Sequence, residues 1–181
     1  MKPVLQMEAA GAGPDAITQA SAQRSRFFSR SALLMLAMVL LSFPLSYFVP
    51  AVTGTRQFSL VYQLHGMAFF GWMVLYAWQT HLVASGQTAR HREFGLAGIA
   101  LSSLMLPLGV LLAIAAIARR MAAGDAHPFD DTLYNVLDMC TFMLLMIASI
   151  ASVTRRLDWH RRFTFGAAVC LVGPAISRWI F

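Results

Sequence analysis

Residues 57–89 read QFSLVYQLHGMAFFGWMVLYAWQTHLVASGQTA, a stretch of 33 positions without Asp, Glu, Lys or Arg. A helix needs about 20 predominantly apolar residues to cross the ~30 Å hydrocarbon core of a bilayer. The stretch is long enough for such a crossing. It lacks the alternation of apolar and polar residues that is typical of the strands of a membrane barrel, so it predicts a transmembrane helix.

The rest of the chain has the same character. Of its 181 residues, 58% are hydrophobic and only 12% are charged, and the mean hydropathy is +0.62. Soluble domains usually carry about 25% charged residues, so the composition excludes an ordinary soluble globular domain. Apolar stretches of sufficient length predict five transmembrane helices, at 31–49, 58–83, 94–118, 132–154 and 161–181. The sequence therefore predicts an all-α membrane protein whose transmembrane domain covers residues 31–181.

The basic residues predict how the chain is oriented. Residues 1–30 are small and polar without a hydrophobic period, which predicts a disordered tail. With this tail in the cytoplasm, ten Lys or Arg residues lie on the inner side and four lie on the outer side. Because basic residues favour the cytoplasmic side, the N-terminus is expected inside and the C-terminus outside. The net charge of +6 then reflects topology, and no basic-aromatic patch indicates binding to nucleic acid.

An internal repeat is the second prediction about the architecture. The second and third spans resemble the fourth and fifth, because each pair is joined by a turn that ends in a His-Arg element and each returning helix contains a proline. The equivalent features are His65 and Asp138, residues 90–94 and 159–163, and Pro107 and Pro174. We expect a four-helix core of two related hairpins, with the first helix as a peripheral addition.

Ionisable side chains within the spans are the first candidates for function, since such groups are costly in a membrane. They are His65, Asp138 and Arg178, and Asn135 lies close to Asp138 in sequence. All four are expected in the outer half of the membrane, where Asp138 and Arg178 can neutralise each other. The alternative is that these polar groups only fix the packing of the helices.

A second candidate is a stripe of aromatic and polar residues on one face of the second span. It consists of His65, Phe69, Trp72, Tyr76 and Gln79, which recur at helical spacing. Such a face suits a flat ligand that lies between helices, such as a haem b porphyrin or a quinone. It equally suits a packed core, because aromatic stripes are a common way for helices to bury a face.

Two further histidines are candidates for haem ligation. His91 and His160 are equivalent in the repeat, and the arginines beside them can pair with haem propionates. The alternative is that both are basic anchors at the membrane interface. For His65, Met105 or Met139 would be the second ligand. A bare metal ion is not predicted, since HExxH and related spacings are absent from the sequence.

The sequence also resembles a group of bacterial integral membrane proteins without an assigned activity. The resemblance covers about residues 60–181. It rests on the pattern His65-x3-Phe69-x2-Trp72-x6-Gln79-x2-Leu82-Val83-x2-Gly86-x4-His91-Arg92-x2-Gly95 and on Arg155-Arg156 through His160-Arg161-Arg162 to Pro174-Ala175 and Arg178. It implies a multi-span protein of the bacterial inner membrane. The chain is more distantly similar to b561-like haem proteins, but its histidines within the spans do not form two pairs at matching depths.

Three functions remain open from the sequence. The leading hypothesis is a membrane redox component linked to haem or quinone, which the stripe and the His-Arg elements favour. The second is a non-catalytic accessory or assembly subunit, in which a stripe of small residues on each returning helix packs against other membrane proteins or a second copy of the chain. The two stripes are Gly95, Gly98, Ser102 and Gly109, and Gly166, Cys170, Gly173 and Ser177. The third is a carrier for a small solute or for protons. The lipid bilayer is the partner that the composition predicts, and other membrane proteins or further copies of the chain are the alternative partners.

Overall fold

The computed structural model describes residues 13–55 and 57–180, without the side chains of residues 14, 16–18, 45, 46, 131 and 178–180. Within these ranges the chain is all-helical and contains no strand. The all-α prediction is therefore confirmed. The α-helices are α1 (Pro14–Ser42), α2 (Val49–Thr53), α3 (Leu60–Ala84), α4 (Thr88–Ala122), α5 (Asp130–Ser152) and α6 (Leu157–Ile180).

Four helical segments are long and apolar enough to cross a membrane, as judged from the described residues. They are Gln19–Ser42, Leu60–Ala84, Thr88–Ala122 and Thr132–Ser152. They coincide with the first four predicted spans, although the segment Gln19–Ser42 starts and ends earlier than predicted. The fifth predicted span falls on α6, which is not among these four. The side chains of residues 178–180 at the end of α6 lie outside the described part of the chain, so the fifth span stays a prediction.

Helix α1 begins much earlier than the sequence predicted. The chain is helical from Pro14, so the prediction of a disordered tail is wrong for residues 14–30, while residues 1–12 lie outside the described residues. Proline is favoured in the first helical turn, because its missing N–H would have no partner there. The early turns also find partners on α6: Arg24 donates to Asp158 at 3.2 Å, and the Phe28 ring lies 5.5 Å from that of Phe165.

The five long helices form a closed ring. Helix α1 packs against α3, α3 against α4, α4 against α5, α5 against α6, and α6 returns to α1. The hairpins α3–α4 and α5–α6 have the most extensive contacts. The prediction of a peripheral first helix is therefore wrong. Ala32 and Val39 of α1 are completely buried, because their small side chains let α1 fill the gap between α3 and α6.

The centre of the ring is a packed aromatic core. Trp72 stacks on Tyr76 with 5.4 Å between ring centroids and 8° between planes. It also meets Phe142 of α5 edge-on at 5.1 Å. Met73 and Met105 are buried beside these rings. The core separates two ends, which we name after the predicted topology. The outer end comprises residues 54, 55, 57–59 and 123–129, and the inner end comprises the turns 85–87 and 153–156.

Proline and glycine set the breaks between helices. Helix α1 ends before Pro44, where a π-helical turn, Pro44–Phe48, leads into α2. The turn between α3 and α4 requires a positive φ, which Gly86 supplies at 77° without steric cost. The short turns 85–87 and 153–156 make each hairpin antiparallel, so α3 and α5 run in the same direction.

Candidate functional site

A cavity of about 840 Å³ lies at the outer end of the ring. All five long helices and the π-helical turn contribute to its lining. Its deep end is apolar and is formed by Phe69, Met105 and Phe142, which are buried. Arg119 and Arg120 lie at the end of α4 and line its mouth. The size and the apolar lining are typical of sites for small organic ligands.

Three of the four residues predicted to form a polar cluster line this cavity. His65 comes from α3, and Asn135 and Asp138 come from successive turns of α5. Asp138 also lies against α6, where its Oδ2 atom is 3.8 Å from the position that a Cβ atom would take on Gly173. The side chain of Arg178 lies outside the described residues, so its predicted pairing with Asp138 stays a prediction.

His65 is placed by a close approach of three helices. At Gly109 of α4, an added Cβ atom would collide with the sulfur of Met139 and come within 3.4 Å of the His65 Cε1 atom. Glycine at this position therefore lets the imidazole and the thioether approach the same point. The Nδ1 atom of His65 is buried and has no hydrogen-bond partner in residues 13–55 and 57–180. A buried polar atom left unpaired costs about 1–3 kcal/mol, so this nitrogen favours a ligand that can bond to it.

The predicted aromatic stripe divides between the cavity, the core and the inner end. His65 and Phe69 line the cavity, whereas Trp72 and Tyr76 stack on each other and Trp72 contacts Phe142 of α5. Trp72 and Tyr76 are thus core residues, as the packing alternative expects. The last member, Gln79, is at the inner end, where it bonds to His91. The stripe does not form one continuous face of a single site.

At the inner end, each predicted histidine is bonded to the helix that precedes it. The Nδ1 atom of His91 is 2.7 Å from Oε1 of Gln79. The Nδ1 atom of His160 is 2.8 Å from the hydroxyl of Ser149 and 3.1 Å from its carbonyl oxygen. Thr164 completes this group, because its hydroxyl lies 2.6 Å from that of Ser149 and donates to the His160 carbonyl at 2.8 Å. Both rings are half-buried.

These partners indicate which ring nitrogen of each histidine is the donor. A carbonyl or amide oxygen can only accept, so Nδ1 of each histidine must donate. In the neutral imidazole the lone pair is then on Nε2. Neither Nε2 atom has a hydrogen-bond partner among the described residues. In each hairpin, a histidine near the start of the second helix bonds through Nδ1 to a side chain of the first helix.

A salt bridge holds one of the arginines at the mouth of the cavity. Arg120 and Asp125 are joined at 2.6 Å, and the Asp125 carboxylate also accepts from the backbone N–H of His127 at 2.9 Å. The His127 N–H and then Arg120 lower the pKa of Asp125 from its ordinary value. Asp125 and Gly109 were not among the predicted site residues. Asp125 could have been recognised because it follows a helix that ends in two arginines. Gly109 could have been recognised because it belongs to a stripe of small residues.

Comparison with known proteins gives no match to a family model, to a curated protein or to a solved structure. Inference about function therefore rests on the two sites. One is the cavity with His65, Asn135 and Asp138, and the other is the pair His91 and His160. No group of three or more His, Cys, Asp or Glu side chains suitable for a metal ion occurs in the searched part of the chain.

Proposed function

We propose that this chain is a membrane redox component of the bacterial inner membrane that binds a quinone in the outer-end cavity. The observation that carries the proposal is the placement of His65, Asn135 and Asp138 on one cavity whose remaining lining is mainly apolar and aromatic. A quinone has a flat ring with polar oxygens at opposite edges and an apolar tail. The cavity offers hydrogen-bonding groups for the oxygens and an apolar environment for the ring.

The proposed topology has five spans, with α6 as the fifth and the N-terminus in the cytoplasm. Helix α6 closes the ring between α5 and α1, so it is expected to share their depth in the membrane. Its charged residues Asp158, Arg161 and Arg162 lie in the first two turns, where the inner interface would accommodate them. This orientation directs the mouth of the cavity outward.

An internal repeat remains part of the proposal, in a revised register. Trp72 meets Phe142, and seven residues further along each helix Gln79 and Ser149 bond to His91 and His160. In this register His65 is equivalent to Asn135. The sequence had predicted that His65 is equivalent to Asp138, which lies three residues later. Both members of the new pair line the cavity. A two-fold repeat around the aromatic core accounts for all of these placements.

The chemistry of a quinone makes particular demands on the cavity. Reduction to the quinol requires two electrons and two protons, with one proton added to each oxygen. His65 and Asp138 are side chains of the cavity that can exchange protons, and Asn135 can donate to an oxygen through its amide. The electrons would have to come from another centre, since imidazole and carboxylate groups do not donate them.

Binding of a short-chain benzoquinone to the purified protein tests the proposal. Quinones quench tryptophan fluorescence, so a saturable titration in micelles gives a dissociation constant. We expect His65→Ala and Asn135→Ala each to raise this constant about 3–10-fold, the loss of one hydrogen bond of roughly 0.5–1.5 kcal/mol. His81→Ala is the matched control, because His81 is exposed on the same helix outside the cavity. Linear, unsaturable quenching of the unsubstituted protein would overturn the proposal.

The rival functions make different demands. A carrier needs a path to both sides, but the packed rings of Trp72, Tyr76 and Phe142 lie between the cavity and the inner end. An accessory subunit needs no quinone, so it predicts no saturable quinone binding that depends on His65. The titration therefore separates the redox component from the accessory subunit.

A further inference from the structure

We propose that His91 and His160 are the two axial ligands of a haem iron at the inner end of the ring. The proposal does not depend on the quinone cavity, because His91, His160 and their partners Gln79 and Ser149 do not line that cavity. It rests on hydrogen bonds, on the positions of the two histidines in the fold and on the charges beside them.

The first argument is that both imidazoles are prepared to bind a metal through Nε2. Metal-bound histidines almost always donate their other ring N–H to an oxygen, which fixes the tautomer and the orientation of the ring. His91 does so to Gln79, and His160 does so to the Ser149 carbonyl. A basic residue that serves only as an interface anchor has no need of such a bond, and its ring nitrogen would be hydrated instead.

The second argument is that the two anchoring residues face the same interior. Trp72 of α3 and Phe142 of α5 are in contact in the core. Seven residues, or about two helical turns, later on the same faces come Gln79 and Ser149. Because α3 and α5 run in the same direction, these residues reach one level on the inner side.

The third argument concerns which metal centre two imidazoles can hold. Within the searched part of the chain, no third His, Cys, Asp or Glu joins them in a metal-binding group. Two protein ligands hold a bare ion weakly, whereas a porphyrin supplies four nitrogens of its own and needs only axial ligands from the protein. A haem iron therefore fits the donor set better than a free divalent ion.

The charges beside the histidines suit the carboxylates of a haem. Arg92 and Arg161 follow directly after His91 and His160 in the sequence. Three other arginines at this end have side-chain partners: Arg24 with Asp158, Arg90 with Gln87, and Arg162 over the Trp159 ring. Arg92 and Arg161 make no hydrogen bond within residues 13–55 and 57–180, so they are available to pair with two propionates.

Both histidines lie at the starts of helices, so a haem would enter from the inner end and leave the aromatic core in place.

Titration of the purified protein with hemin, followed by reduction with dithionite, tests the inference. We expect one haem per chain, with the sharp spectrum and low-spin electron paramagnetic resonance signal of iron bound by two imidazoles. His91→Ala and His160→Ala should each abolish that signal, while His81→Ala should leave it unchanged. Circular dichroism and gel filtration verify that each variant is folded.

Gln79→Leu serves as the second variant, since it keeps both ligands and removes only the acceptor for His91. Loss of such a partner typically weakens metal binding 10–100-fold, so we expect haem affinity to fall by that factor with the low-spin signal retained at saturation. Haem that binds equally well to folded His91→Ala and His160→Ala would overturn the inference, as would no binding to the unsubstituted protein or stoichiometric binding of a bare ion instead. His65→Ala should retain the haem signal while weakening quinone binding, so the two proposals fail separately.

Discussion

Substitution of Gly109 by alanine should narrow the cavity beside His65 while leaving the bundle folded. The added methyl would overlap the Met139 sulfur and lie 3.4 Å from the Cε1 atom of His65. Alanine in place of glycine stabilises a helix by about 1 kcal/mol, whereas overpacking of a tight site costs about 1–3 kcal/mol. The net change in the free energy of unfolding is therefore expected to lie between zero and about 2 kcal/mol of destabilisation.

The side chain of Met139 can move to relieve the overlap with the added methyl group. Methionine has three flexible torsions, so its side chain should turn into the cavity and occupy space beside His65. We expect Gly109→Ala to raise the dissociation constant of the benzoquinone at least tenfold, measured by fluorescence titration, with thermal unfolding followed in parallel.

A double-mutant cycle supplies the control. In a Met139→Ala background the overlap is gone, so Gly109→Ala should become neutral or stabilising by up to about 1 kcal/mol and should no longer weaken binding further. Equal quinone affinity and equal stability for the unsubstituted protein and Gly109→Ala would refute the placement of Met139 and His65 around this glycine.

Three further predictions concern other parts of the molecule. Trp72→Ala should lower the free energy of unfolding by about 3–5 kcal/mol, measured by thermal unfolding, because Trp72 is only 2% exposed and contacts two rings; a change below 1 kcal/mol would contradict the packed core. Arg24→Ala should change it by less than about 1 kcal/mol, since both partners of its salt bridge are more than half exposed. The contact of Asp125 with Arg120 and the His127 N–H should persist above about pH 4 and disappear as the pH falls through the lowered pKa of Asp125; amide exchange of His127 should speed up there, and Asp125→Asn should remove that pH dependence.

The helices could be predicted because a membrane imposes a strong requirement on composition. Any backbone that crosses hydrocarbon must bond within itself, so the length of an apolar run such as 57–89 determines both the element and its approximate bounds. The start of α1 could not be predicted in this way. Residues 14–30 are polar, and their helix is stabilised by contacts of Arg24 and Phe28 with residues more than 130 positions away on α6.

The candidate sites were only partly visible in the sequence. His65, Asn135 and Asp138 were recognised because polar groups within a span are rare, and the cavity includes all three. Met139 was a candidate ligand beside His65, but its overlap with Gly109 could not be inferred, since the closeness of two helices depends on packing across the ring. Ser149 gave no signal at all, because a serine within a span is common. Its role emerges only from its bond to His160.

Photolabelling with a benzoquinone that carries a light-activated group tests the central claim most directly. The binding of a quinone at the outer end predicts adducts on peptides from residues 62–70 and 135–142, which line the cavity. An excess of unlabelled quinone should suppress these adducts, and Gly109→Ala should reduce them. Adducts confined to the lipid-facing surfaces, unchanged by competing quinone, would contradict the account.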